Sequence, residues 1–201
     1  MKYCIDTNVL FSFQKGIDLG KNPEEVMRTL LKSAQSGVAQ FVFPKSITDE
    51  MYQMLESAHH PLLASLLAVS SVISPEKHTH SISVGILYDF VNENRKRAYD
   101  GMKIAEEIMG QVAKDAKLSG LTDRVAFEKS LQPYKESFRA RYRNATRTGF
   151  LDSEADLDLI ILAKQEGATL VSADEGLLLW GRKFGIQEMH LPVFGQSIKG
   201  S

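Results

Sequence analysis

The sequence predicts an α/β fold in which a parallel sheet with helices on its faces is interrupted by a long helical hairpin. Three observations predict it. Short apolar strands at residues 2–5, 39–43 and 168–173 alternate with amphipathic helical segments, the pattern of βαβ units. Two of those strands end on an aspartate, Asp6 and Asp174, and ligands bind at the carboxyl ends of strands in open α/β sheets. Between about residues 81 and 148 no strand pattern occurs, and two long helical periodicities take its place.

The first strand stops at Asp6, and Thr7 and Asn8 turn the chain into Val9-Leu10-Phe11. Residues 23–36 read as a helix. Pro23 suits a first turn, where its missing N–H has no partner to lose, and Val26, Leu30 and Leu31 share a face. Gly37 stops it before the strand at 39–43. Ser46 or Thr48 reads as the cap of a helix through Met51, Met54 and Leu55. The longest greasy stretch, 61–72, is broken by serines and too short to span a bilayer, so no membrane association is expected.

In the middle, one helical pattern runs through Ile86, Phe90, Tyr99, Ile104 and Ile108. The other covers residues 122–147, and Ser119-Gly120 separates them. Ser153 with Asp156 resembles a capping box, with Asp in place of Glu, opening a helix that ends at Gly167. A strand at 168–173 ends at Asp174. Residues 175–184 read as a helix stopped by Gly185, 186–191 as a last strand, and Pro192 onward as a tail. The expected organisation is a first α/β part at 1–80, an inserted hairpin at 81–148 and a second α/β part at 149–201.

Bulk properties narrow the function. At 201 residues, 43% hydrophobic and 24% charged, the chain fits one globular domain with an elaboration. A net charge of −1 means that any nucleic acid must be met by a local basic face. The single cysteine, Cys4, excludes an intramolecular disulfide and a cysteine-rich zinc site, and reads as a buried strand thiol. The N-terminus opens into a strand rather than a signal peptide, so a cytoplasmic protein is expected. There is no Gly-rich phosphate loop, G-x-S-x-G elbow or zinc spacing. His59, His60, His78 and His80 lie in loop-like or polar segments without a partner motif and read as surface residues, which argues against a metal-free ribonuclease built on histidine acid–base pairs.

The acids carry more. Asp152 and Asp156 are four apart at a helix start and share a face. Either alone reads as a complement to the helix dipole, and Glu154 and Asp158 as ordinary solvated charges. Together with Asp6 and Asp174 they suggest more. Two carboxylates about 4 Å apart repel by roughly 4 kcal/mol at an effective dielectric near 20, so converging them calls for a cation. Oxygen ligands without histidine favour Mg²⁺ or Mn²⁺ over Zn²⁺.

YCIDTNVL and DLDLIILAKQEGATLVSAD resemble the first and last acidic motifs of PIN domains, and Asp156 and Asp174 keep that family's spacing of eighteen residues. The helical insertion, the arginines before Asp152 and the DSEAD segment further resemble the HARP family, protein-only ribonucleases P. The resemblance covers nearly the whole chain. It implies a three-layer PIN-like domain acting as a metal-dependent endonuclease that removes the 5′ leader of precursor tRNA without an RNA subunit. Asp6, Asp152, Asp156 and Asp174 would hold the metal. Asn8 and Asp158 match the motifs less closely, and Glu50 is a candidate for a further acid. The resemblance also implies a large homo-oligomer, dimers assembling through the inserted helices into a ring- or star-like form as large as a dodecamer.

A basic stripe precedes Asp152. Arg139, Arg143 and Arg147 repeat at four-residue spacing on one helix face, with Lys135 and Arg141 nearby. They are expected to grip RNA phosphates, for which arginine's planar fork is suited. Tyr134, Phe138 and Tyr142 form a second four-spaced set that reads as packing, and Arg95-Lys96-Arg97 reads as a solvated face. Two rival readings remain: a PIN toxin of a toxin–antitoxin pair, and a non-catalytic RNA-binding scaffold.

Overall fold

The computed structural model describes residues 1–13, 17–76, 81–151 and 153–199. The chain divides into two compact units, Met1–Ser83 with Leu151–Ser201, and Val84–Phe150.

The first unit is built on a five-stranded, wholly parallel sheet: β1 (Lys2–Ile5), β2 (Gln40–Phe43), β3 (Ser71–Val72), β4 (Thr169–Ser172) and β5 (Glu188–His190), in the order β3-β2-β1-β4-β5. Its helices are α1 (Pro23–Gln35), α2 (Lys45–Met54) and α3 (His60–Ala68), and, after the hairpin, α7 (Glu154–Glu166), α8 (Glu175–Lys183) and α9 (Leu191–Ile198). A 3-10 turn, Thr7–Phe11, follows β1. The chain leaves β1 toward β2 on one side, whereas β4 and β5 extend the sheet on the other. The carboxyl ends of β1 and β4 therefore flank the point where the strand order reverses, where a doubly wound sheet opens a crevice.

Alternation along the strands fixes the layers. Cys4 faces α7, its thiol donating to the Leu159 carbonyl at 3.6 Å. Its register partner Leu170 lies against Gly181 of α8, where an added Cβ would come within 2.8 Å of the Leu170 side chain. On the other face, Tyr3 and Phe41, also register partners, meet Phe194 of α9 with ring centroids 5.0 and 6.4 Å away. Helices thus cover both faces of the sheet.

Two expectations change. The segment from Pro192 is not a tail but helix α9, with Leu191, Phe194, Gly195 and Ile198 buried. Its proline occupies the first turn, the one helical place where a missing N–H is harmless. Neither Ser46 nor Thr48 caps α2. Pro44 holds the cap position in an extended conformation, Ser46 Oγ donates to Asp158 and Thr48 Oγ1 donates back to the Lys45 carbonyl. The greasy stretch resolves into α3 and the two-residue edge strand β3.

The second unit is the hairpin: α4 (Val84–Lys114), the short α5 (Ala116–Ser119) and α6 (Arg124–Arg147), capped by Asp123. Its pairing is antiparallel. Gly101 of α4 lies under the Tyr142 ring, so close that an added Cβ would come within 2.7 Å. Tyr134 donates to Asp115 at 2.9 Å, and Phe138 packs on Tyr142. The aromatic set is packing, as the sequence suggests. Arg97 is not part of a solvated face. Its side chain is largely buried, donates to the carbonyls of Ala145 and Thr148 at 3.3 and 3.0 Å, and lies over the Phe150 ring at 4.8 Å. It satisfies carbonyls at the end of α6 that have no partner within the helix.

Candidate active site

β1 is buried from Tyr3 to Ile5, so the first charged residue after it is fixed at the sheet edge. Asp6 is that residue, only 8% exposed. Ser172, the last residue of β4, is fully buried beside it and donates its hydroxyl hydrogen to Asp6 Oδ2 at 2.7 Å. The same hydroxyl accepts from the Asp174 amide at 2.8 Å and from Asn8 Nδ2 at 3.1 Å, which uses its one donor and both acceptor positions. Asn8 Oδ1 accepts from the Ala173 amide at 3.1 Å. Asp6, Asn8 and Asp174 are thereby tied into one network through a serine that sequence reasoning passed over; its position two residues before Asp174 was the available signal.

The other acids approach from neighbouring helices. Glu50 of α2 accepts from Thr7 Oγ1 at 2.9 Å. Asp156 lies in the first turn of α7, its amide donating to the Ser153 cap at 3.1 Å. Burial, reinforced by the negative charges of Asp156 and Glu50, pushes the Asp6 carboxyl up to about 6, against the lowering effect of the Ser172 and Asn8 hydrogen bonds. Asp174 is exposed and its Oδ1 caps α8, accepting from Gly176 and Leu177 amides. Asp158 is buried and accepts from Ser46 at 2.9 Å, a tie between α7 and α2. Asp152 lies outside the described residues, as do His78 and His80. His60 uses Nε2 on the carbonyls of Tyr52 and Leu55, a structural contact.

Among the described residues no three acidic, imidazole or thiol side chains are gathered tightly enough to hold an ion unaided. The donor set itself fits a hard divalent ion. Asp6, Glu50, Asp156 and Asp174 offer oxygen only, and a buried carboxylate under two further negative charges is a group that a cation would relieve.

On the hairpin, Arg139, Arg143 and Arg147 are all exposed. Arg139 and Arg143 make no ion pair with a described residue. Arg141, by contrast, is committed to Glu107 of α4.

No helix among the described residues is long and apolar enough to cross a membrane. The PINc domain ribonuclease family matches residues 2–200. An RNA-free ribonuclease P of Thermococcus kodakarensis is 30% identical over 100% of this chain and 95% of its own length. Proteins of the same name from Alkalilimnicola ehrlichii and Nitrosococcus oceani are 32% and 30% identical, over 92% of this chain and 90% and 88% of their own. Residues on both sides of the hairpin, and the hairpin itself, fall inside these matches. The chain belongs to the PINc-domain ribonuclease family and, within it, to the HARP group of RNA-free ribonuclease P proteins, which makes it an endoribonuclease.

Proposed function

We propose that this endoribonuclease removes the 5′ leader from precursor tRNA, without an RNA subunit and with Mg²⁺ or Mn²⁺ as its cofactor. The observation that carries the reading is the buried Asp6 at the strand-order reversal, under the charges of Asp156 and Glu50. Asp6, Asp152, Asp156 and Asp174 hold the ion, with Glu50 beside them. When bound, the ion supplies an activated water and steadies the leaving oxygen of the phosphodiester.

This chain's residues do the positioning. Ser172 fixes the Asp6 carboxylate and, through its amide contact, the start of α8. Thr7 orients Glu50. Arg139, Arg143 and Arg147 bind RNA phosphates, reading shape rather than base sequence. Hydrolysis leaves a 5′-phosphate on the tRNA and a 3′-hydroxyl on the leader. The hairpin also carries the homo-oligomer contact. Leu87, Tyr88 and Met109 of α4 are exposed, and an apolar groove of about 270 Å³ runs between α4 and α6, lined by residues such as Ile108, Met109 and Phe138.

The test is incubation of the purified protein with 5′-labelled precursor tRNA, in Mg²⁺ and then in EDTA. A single metal-dependent cut at the mature 5′ end, with a 5′-phosphate on the tRNA product, is expected. Scattered cuts would instead indicate a general or toxin-type ribonuclease, and no cut with tight RNA binding would indicate a scaffold.

A further inference from the structure

Pro44, at the N-cap of α2, supplies no capping side chain. What meets the first turn of α2 is Asp158 of α7, only 9% exposed, whose Oδ2 accepts from Ser46 Oγ at 2.9 Å. An anion is favoured at a helix start, where the backbone N–H groups carry a partial positive charge. A hydroxyl bonded to a carboxylate is charge-assisted, and the bond is stronger away from water. Ser46 therefore ties the start of α2 to the second turn of α7.

Each of these helices carries an acid of the proposed centre. Glu50 follows Ser46 by four residues, on the same face of α2 and about 6 Å further along it. Asp156 precedes Asp158 by two residues in α7. Glu50 and Asp156 are the carboxylates whose charges reach Asp6. α7 is fixed in turn to β1, where the Cys4 thiol meets the carbonyl of Leu159, the residue after Asp158. α2 is thus held at two points one turn apart, to α7 by Ser46 and to the turn after β1 by the Thr7–Glu50 bond. The Thr7 bond fixes the tip of Glu50. The Ser46 bond fixes the helix that carries Glu50 against the helix that carries Asp156.

We propose that Ser46 is a positioning residue for the metal centre: acting through Asp158, it holds α2 against α7 so that Glu50 and Asp156 serve the same ion. The inference rests on the metal-dependent nuclease reading above and adds to it the contact that sets the spacing of two of its acids.

The experiment titrates Mn²⁺ into the RNA-free protein and reads the unbound ion by electron paramagnetic resonance. Asp156→Asn, titrated in parallel, defines the part of the binding that belongs to this centre. Ser46→Ala should weaken that part about tenfold, the lower end of what loss of a ligand-orienting partner costs. Ser46→Thr, which keeps the hydroxyl, should regain most of it. In a Glu50→Gln background Ser46→Ala should be nearly neutral, because residues that act as a unit are not additive. Thermal melts on the same samples keep the comparison to folded protein. Should Ser46→Ala be unfolded at the assay temperature, Ser46→Cys, of nearly the same shape but a poor donor, is read in its place. A serine that merely stabilised the fold would leave the Mn²⁺ affinity of the folded protein unchanged. That result, or an equal tenfold loss in the Glu50→Gln background, would overturn the proposal. A wild type that binds no more Mn²⁺ than Asp156→Asn would instead overturn the metal reading of the acidic centre, and this inference with it.

Discussion

The Asp6 carboxylate is where fold and chemistry oppose each other. It is buried, carries its charge beside two other acids, and is pushed from 3.8 up to about 6. The folded protein therefore keeps this proton to a higher pH than the unfolded chain does. The stability it contributes is fully present below about pH 4 and lost as pH rises through about 6, a change of about 3 kcal/mol. In EDTA at pH 7.5, Asp6→Asn should therefore raise stability by about 1–3 kcal/mol, with little gain at pH 4, while cleavage is lost. Urea melts of both proteins at the two pH values check this, and a variant destabilised at pH 7.5 would contradict it. Adding Mg²⁺ should stabilise the wild type and not the variant, since only the wild type offers the charged ligand. Asp6 and Asp174 were legible in the sequence because each follows an apolar strand. Ser172 was not, because its importance comes from register between strands, which single-sequence periodicity does not carry.

At the scale of elements, the readable ones were those with a stop signal. α7 ends at Gly167 with φ +59, and α8 is followed by Gly185 with φ +74, both left-handed positions that suit glycine. α9 was missed because Pro192 reads as a breaker when it is a first-turn residue, and β3 because two residues show no alternation. Burial corrects the first error with a measurable consequence. Phe194 is fully buried against Tyr3 and Phe41, so Phe194→Ala should cost about 3–5 kcal/mol. Thermal or urea unfolding checks it, and a loss below 1 kcal/mol would return the segment to the status of a tail. Arg97 repeats the lesson in the hairpin. A basic run looks solvated in sequence, yet its last residue closes the end of α6 with two carbonyl contacts and a ring.

For the whole molecule, a chain with net charge −1 must present its cations to RNA locally. Arg143→Ala should weaken precursor tRNA binding and reduce the slope of log affinity against log salt by about 0.7–0.9, the share of one phosphate contact. Filter binding across a salt series checks it, and an unchanged slope would remove Arg143 from the interface. The acidic centre and the arginine face are assigned separate work, catalysis and binding, and one measurement tests that division most directly. It is the single-turnover cleavage rate of precursor tRNA by Asp156→Asn in saturating Mg²⁺, with tRNA affinity measured on the same preparation. A rate at least about 10³-fold below wild type is expected, a loss of roughly 4 kcal/mol of transition-state stabilisation, with affinity nearly unchanged. Asp156→Asn cutting at the wild-type rate would contradict it and place the active site elsewhere.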